Sequence, residues 1–312
     1  MRLLPVLLGA LALAPSSLAA PSLGILGDPG RFRALTGQES SVRHVIVGWG
    51  QGQTWGAAMP RLLSTLGPVP MLGFTTAVEG REQITPRALA QGAGDSYLVA
   101  LNAAIAAYGR PIYVRPLPEM NGHWNVYCAY TSSGQAKGPS HSTTAFRNAF
   151  ARIYLVLHGG PAAVVDAKLR RLGLPPVGRD LAKNPYPSLR VIWNPQGYGS
   201  PDLSGNAPQA YYPGDAFVDV VGDDLYDIGH RAEWDAAEDL YRAHPGKPFA
   251  FPEWGLWGID DPAFVQRMAR FARTHARLEL LSYYNSKPGS TWDLASKPRS
   301  RAAYRSLITT LG

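Results

Sequence analysis

Short runs rich in β-branched and aromatic residues recur through the chain, and amphipathic helical patterns separate several of them. This alternation is typical of a parallel sheet, because strands that run in the same direction need crossover connections, usually helices. We predict eight strands, over residues 23–26, 44–49, 69–75, 111–117, 189–193, 217–221, 248–251 and 278–284. Eight strands in one domain favour a closed (β/α)8 barrel, the TIM barrel, with a doubly wound open sheet as the alternative.

Helices are predicted between these strands where apolar residues recur at helical spacing. Three of them cover residues 95–108, 145–158 and 161–171, and a fourth has Asp261 as its N-cap and Pro262 at its first position. Residues 131–144 are rich in Ser, Thr and Gly and are predicted to form an exposed loop. No linker separates two apolar sets, so we expect one domain.

The first twenty residues have the layout of a secretory signal peptide. Arg2 is their only charge, an apolar run covers residues 3–14, and small residues precede an expected cleavage site near residue 20. The run is shorter than the roughly 20 residues that a spanning helix needs. We therefore expect residues 21–312 to form the barrel of a secreted or periplasmic protein with no membrane association after cleavage. An uncleaved membrane anchor is the alternative.

Composition excludes several classes of protein. The chain is 46% apolar and 17% charged, which argues against disorder, and Cys128 is its only cysteine, which excludes an internal disulfide. The net charge of +7 is dispersed without a basic stripe, so no nucleic-acid partner is expected. The aspartates within 219–227 lack the spacing of an EF-hand, and no H-E-x-x-H motif is present. We expect no metal, no cofactor and a monomer.

Two glutamates follow predicted strands at the end of the barrel where active sites form. Glu119 follows the fourth strand and Glu253 follows the seventh, so the two carboxyl groups would face each other across the barrel mouth. Glycoside hydrolysis needs such a pair, one protonated to assist the leaving oxygen and one ionised to attack the anomeric carbon. The sequence therefore predicts a glycosidase site.

The alternation of side chains along a strand also predicts which residues share a face with each glutamate. Arg115 and Leu117 are expected to point with the first glutamate toward the barrel axis. Phe249 and Phe251 are expected to do the same with the second.

Aromatic residues crowd the same strand ends. Sugar rings stack their C–H faces on such side chains, so this group predicts a carbohydrate-binding surface. The residues are Trp124, Trp193, Tyr198, Tyr226, Trp254, Trp257, Tyr284 and Trp292.

Three segments resemble glycoside hydrolase family 26, best known for β-mannanases. Residues 115–124, R-P-L-P-E-M-N-G-H-W, are similar to the family's acid/base motif, R-P-x-H-E-x-N-G-x-W. Residues 211–227 are similar to its sixth-strand segment, and residues 252–255, P-E-W-G, are similar to its nucleophile motif.

The resemblance implies a retaining (β/α)8-barrel hydrolase that acts by double displacement and needs no cofactor. Glu119 would be the general acid/base and Glu253 the nucleophile, and Tyr226 would donate a hydrogen bond to Glu253. The further residues expected to bind substrate are Arg115, Trp124, Trp193, Asn194, Trp254 and Tyr284.

The chain departs from the family motif at one position. Pro118 stands where the family has a histidine before the acid/base glutamate, and proline has no side-chain donor for a sugar. The expected substrate is a β-linked polysaccharide cleaved in the manner of an endo-β-mannanase, while mixed-linkage glucan, β-1,3-xylan and exopolysaccharide remain alternatives. A non-catalytic carbohydrate-binding barrel is the alternative of another class.

Overall fold

Eight parallel strands form the centre of the molecule. The computed structural model describes residues 20–312, so the predicted signal peptide lies outside the described residues apart from its last position. The barrel strands are β1 (Ser22–Gly27), β2 (Val42–Val47), β3 (Val69–Phe74), β4 (Ile112–Pro116), β5 (Leu189–Trp193), β6 (Val220–Ile228), β7 (Phe249–Trp257) and β8 (Leu278–Ser286). A two-residue hairpin pairs Ala77–Val78 with Arg81–Glu82.

The strands pair in the order of the chain, and β8 pairs with β1 to close the sheet. The closed (β/α)8 barrel is therefore confirmed, and the open-sheet alternative is wrong. Closure leaves no free sheet edge, and it brings the carboxyl ends of all eight strands to one rim.

Helices surround the barrel. They are α1 (Pro29–Thr36), α2 (Met59–Ser64), α3 (Pro86–Ala90), α4 (Asp95–Tyr108), α5 (Thr143–His158), α6 (Ala162–Arg171), α7 (Trp234–Ala243), α8 (Pro262–Thr274) and α9 (Pro298–Leu307). The predicted cap of α8 is present, since Asp261 accepts a hydrogen bond from the Ala263 amide at 2.8 Å. Over residues 20–312, no helix has the length and apolarity to cross a membrane.

Short 3-10 helices occupy Ser204–Asn206, Pro208–Tyr211, Asp215–Phe217 and Leu294–Ser296. The third of these replaces the start of the predicted sixth strand, so β6 begins at Val220 and extends to Ile228. Strand β7 likewise runs through Pro252 to Trp257, beyond the predicted end at residue 251.

One buried apolar side chain from each of seven strands fills the barrel interior. These are Val42, Met71, Tyr113, Ile192, Val220, Ala250 and Leu280. A larger apolar cluster lies between the sheet and the helices, and it contains Leu117, Phe249 and Phe251. The prediction that these three residues face the barrel axis is wrong.

A β-bulge explains how Glu253 faces the barrel mouth although Phe251 does not. Gly222 of β6 is paired with Ala250 of β7, whereas Asp224 is paired with Glu253, so β7 contains one extra residue in this interval. An extra residue shifts the alternation of faces. The bulge includes Pro252, whose missing N–H is tolerated where ladder pairing is interrupted.

Candidate active site

A cavity of about 880 Å³ opens at the carboxyl ends of the strands. Glu119 and Glu253 both line it, together with Arg115, Trp124 and Tyr226. The two glutamates come from opposite parts of the rim, after β4 and within β7. The structure thus brings both predicted acids to one cleft large enough for a sugar chain.

The backbone after β4 turns sharply to place Glu119. Leu117 and Glu119 have φ values of 49° and 52°, in the left-handed region that non-glycine residues seldom adopt. The Glu119 amide donates a hydrogen bond of 2.7 Å to the carbonyl of Asn194, directly after β5. This contact anchors the turn to the neighbouring strand, and Leu117 packs into the outer core instead of facing the axis.

The carboxyl group of Glu119 has two side-chain donors. The Trp124 indole donates to Oε2 at 2.8 Å, and the Gln196 amide donates to Oε1. Burial, and after it the negative charge of Glu253, raise the pKa of Glu119, while Arg115 and the Trp124 hydrogen bond partly offset this. A raised pKa suits a carboxyl that must carry a proton at neutral pH.

The carboxylate of Glu253 has different partners. The Arg115 guanidinium donates to Oε1, and the Tyr226 hydroxyl donates to Oε2 at 2.7 Å. The predicted hydrogen bond from Tyr226 is therefore present. Each oxygen of the carboxylate thus has its own donor, which fixes the orientation that a nucleophile requires.

Arg115 is itself fixed by residues of two strands and by the residue that follows a third. Besides Glu253 on β7, it donates to the carboxylate of Asp224 on β6, and its Nε donates to Asn194 Oδ1 at 2.6 Å. Burial alone would lower the pKa of Arg115, but the charges of Asp224 and Glu253 reverse this and raise it. The buried guanidinium therefore stays charged and holds Glu253 in place.

Aromatic rings form two groups around the cavity. Tyr226, Trp257, Tyr284 and Trp292 contact one another on the β6–β8 side, with ring centroids 4.9 to 6.1 Å apart. Trp124 lies on the opposite side and is 50% exposed. Tyr198 also lines the cavity. Aromatic side chains thus lie beside both carboxyl groups, Trp124 at Glu119 and Tyr226 at Glu253.

Two residues that were predicted to contact substrate lie outside the cavity wall. Trp193 is fully buried against Tyr212 and His244, and Trp254 is fully buried and stacks on Tyr304 at 5.6 Å. Both indoles point toward the helices and do not line the cavity, so the prediction that they bind substrate is wrong. Ile192, the residue before Trp193, faces the barrel interior, and Glu253, the residue before Trp254, lines the cavity.

Asn194 is also absent from the cavity wall, and its predicted contact with substrate is wrong. It is fully buried and orients Arg115 through its side chain and Glu119 through its carbonyl. Two residues with direct roles in the site were not predicted from the sequence, Asp224 and Gln196. Their contacts join separate strand ends, and no local spacing signals them.

No family model matches the chain. Among curated proteins it is similar to Endoglucanase H of Acetivibrio thermocellus, with 22% identity over 292 residues. The alignment covers 89% of this chain but only 28% of the relative, so the chain spans little more than a quarter of that protein's length.

Solved structures of low identity share the architecture. Bacillus subtilis mannanase man26 superposes with a TM-score of 0.59 and 16% identity, covering 94% of this chain and 86% of that one. The GH26 β-mannanase of Bacteroides ovatus superposes with a TM-score of 0.55 and 17% identity, covering 94% of this chain and 86% of that one. The chain has the fold of the family 26 mannanases. The GH26 domain of a Prevotella bryantii enzyme shares this fold as well. It superposes with a TM-score of 0.54 and 15% identity, covering 93% of this chain and 88% of that one. The resemblance drawn from the motifs is confirmed at the level of the fold.

Proposed function

We propose that this chain is a glycoside hydrolase that cleaves β-linked polysaccharide with retention of anomeric configuration. One observation carries the proposal: two glutamates share a cavity, one in a desolvated setting that raises its pKa and the other held by an arginine and a tyrosine. Paired carboxyl groups in contrasting environments are the arrangement that divides acid and nucleophile roles.

In the first step, Glu119 donates its proton to the glycosidic oxygen as the bond to the anomeric carbon breaks. A carboxylate oxygen of Glu253 forms a bond to that carbon and gives a covalent glycosyl–enzyme intermediate. In the second step, Glu119, now ionised, takes a proton from water. The water oxygen attacks the anomeric carbon and releases Glu253.

We propose β-mannan as the first substrate to test, with cleavage inside the chain. The segments at 115–124 and 252–255 and the shared barrel support this choice. Pro118 lines the cavity where the family motif has histidine, so the sugar contacts beside Glu119 differ from that motif. Mixed-linkage glucan, β-1,3-xylan and exopolysaccharide belong in the same panel.

A reducing-sugar assay over that panel tests the proposal. We expect release from at least one polymer, and we expect Glu119→Gln and Glu253→Gln to lower the rate at least about 1,000-fold without changing the fold. Glu82→Gln is the matched control, because Glu82 pairs with His141 outside the cavity. Polymer binding without release from any substrate would favour the non-catalytic barrel instead.

Product stereochemistry tests the mechanism separately. Early time points followed by proton NMR should show the β-anomer first. Initial formation of the α-anomer would indicate direct displacement by water and would remove the nucleophile role from Glu253.

We also propose that the protein is exported and that residues 1–20 are removed. The charge and apolar pattern of that segment support this proposal. Mass spectrometry of protein recovered from its native host should show a mature chain beginning near residue 20 or 21, whereas a chain beginning at Met1 would contradict export by cleavage.

A further inference from the structure

Three potential ligands meet beside the cavity, on separate elements. Asp227 lies near the end of β6, His230 lies in the loop that follows, and Asp261 is the N-cap of α8. One ligand atom from each residue lies within 4.8 Å of the other two. His230 Nδ1 is 3.0 Å from Asp261 Oδ2 and 4.0 Å from Asp227 Oδ2.

Asp227 provides an independent sign that the cluster is incomplete. Its side chain is only 2% exposed, and within residues 20–312 its Oδ1 has neither solvent contact nor a hydrogen-bond donor. A buried carboxylate oxygen without a donor is costly, and native structures usually satisfy it with a donor, water or an ion. Asp227 therefore has unused ligand capacity at Oδ1, on the same carboxyl group as the Oδ2 atom that lies 4.0 Å from His230 Nδ1.

The cluster brings two acidic side chains to a single histidine. Asp227 and Asp261 are both acidic side chains, and across residues 20–312 their only ion-pair partner is His230. Neither a lysine nor an arginine in that range lies within ion-pair distance of them. A cation bound between the two acidic groups would favour the ionised form of both and offset their negative charges.

We propose that Asp227, His230 and Asp261 form a binding site for a divalent transition-metal ion, Zn²⁺ or Mn²⁺. One imidazole and two carboxylates suit these ions, whereas Ca²⁺ prefers oxygen ligands alone. Ligand atoms around a tetrahedral Zn²⁺ are about 3.4 Å apart when the bonds are about 2.1 Å. The separations of 3.0 and 4.0 Å from His230 Nδ1 to the two carboxyl groups bracket that value.

The site has a structural consequence that does not depend on the proposed function. Ile228, Gly229 and Arg231 line the cavity and belong to the loop that carries His230. An ion held by that loop and by Asp261 ties the cavity wall to the first turn of α8. Metal should therefore raise the thermal stability of the protein, with the fourth ligand position left to water.

Titration calorimetry and thermal unfolding of chelator-treated protein test the proposal. We expect about one equivalent of Zn²⁺ or Mn²⁺ to bind, and an excess of the ion to raise the Tm by several degrees. His230→Ala should abolish both effects, and His230 is suited to substitution because its side chain is 66% exposed. His141→Ala is the control, since His141 faces a single carboxylate, that of Glu82, and its loss should leave metal binding unchanged.

Asp261→Ser separates metal binding from helix capping. Serine still accepts the amide hydrogen bond at the start of α8 but is a poor metal ligand. In chelator, the Tm of this variant should equal that of the unsubstituted protein. With Zn²⁺, the variant should show no gain in Tm. The proposal is overturned if the unsubstituted protein binds neither ion, or if His230→Ala binds as tightly as before. A fall in Tm on His230→Ala in chelator without any metal response would assign His230 to a plain ion pair.

Discussion

Tyr226 on β6 donates a 2.7 Å hydrogen bond to Glu253 Oε2 on β7, while Arg115 on β4 donates to the other oxygen of the same carboxylate. Each oxygen thus has its own donor from a different strand. The barrel fixes the orientation of Glu253 through backbone elements, because neither donor lies on a flexible loop.

Tyr226→Phe should therefore lower kcat by about 10- to 100-fold, because a hydrogen bond to a charged group contributes about 1.5–3 kcal/mol. The fold should be unchanged, since the ring remains. Tyr108→Phe is the control, because its hydroxyl binds the carbonyl of Gly67 away from the cavity. Equal kcat values for both variants, measured on the substrate found in the panel, would show that the hydroxyl has no part in the reaction.

The pH profile should respond to Trp124. Its indole donates to Glu119 and favours the ionised carboxyl, so Trp124→Phe should raise the pKa of Glu119 further. The alkaline limb of kcat/KM, which reports loss of the acid's proton, should move up by about one pH unit. Trp55→Phe removes an indole hydrogen bond outside the cavity and should leave the limb in place. An unshifted limb in Trp124→Phe would remove Glu119 from the acid role.

The barrel and the two glutamates are predictable from the sequence because their signals are local. Strand-length apolar runs separated by helical patterns define the closed sheet, and short motifs mark Glu119 and Glu253 at strand ends. The order of the strands then follows from the chain, since each strand pairs with its sequence neighbours.

The faces of individual residues are less predictable because one inserted residue reverses them. Glu253 faces inward as predicted, but Phe249 and Phe251 do not share its face, because the bulge in β7 reverses the alternation between Ala250 and Glu253 and turns Trp254 outward. Non-local contacts cannot be predicted from the sequence for another reason. Asp224 meets Arg115 only because β4 and β6 lie near each other in a closed barrel, and nothing in either segment encodes that pairing.

Trp254 and Trp257 provide a direct comparison of a core position with a cavity position. Trp257 is 43% exposed and lines the cavity, so Trp257→Ala should raise KM by up to about tenfold with little change in Tm. Trp254 is fully buried, and Trp254→Ala should lower stability by about 3–5 kcal/mol with an unchanged KM for the folded protein. Denaturant unfolding and steady-state kinetics measure both effects. A larger KM change in Trp254→Ala would return that residue to the substrate site.

Asp223 should make the stability of the protein depend on pH. Burial raises the pKa of this carboxyl to about 8 from 3.8, and none of the residues that the structure describes donates a hydrogen bond to its Oδ1. Between pH 3.8 and about pH 8, Asp223 has lost its proton in the unfolded chain but keeps it in the folded chain. Raising the pH through this window therefore favours unfolding, and stability falls until about pH 8.

Asp223→Asn replaces the buried acid by a group that resembles its protonated form. The variant should match the unsubstituted protein near pH 4, and its Tm should be several degrees higher at pH 8, because the contribution of Asp223 to the pH dependence is gone. Asp202→Asn, at an exposed position, should reproduce the unsubstituted profile. Thermal unfolding at intervals from pH 4 to 9 gives both curves. Parallel curves for Asp223→Asn and the unsubstituted protein would mean that this carboxyl is already ionised in the folded state. The hydrogen bond that Asp223 accepts from the Gly197 amide would then have a charged acceptor.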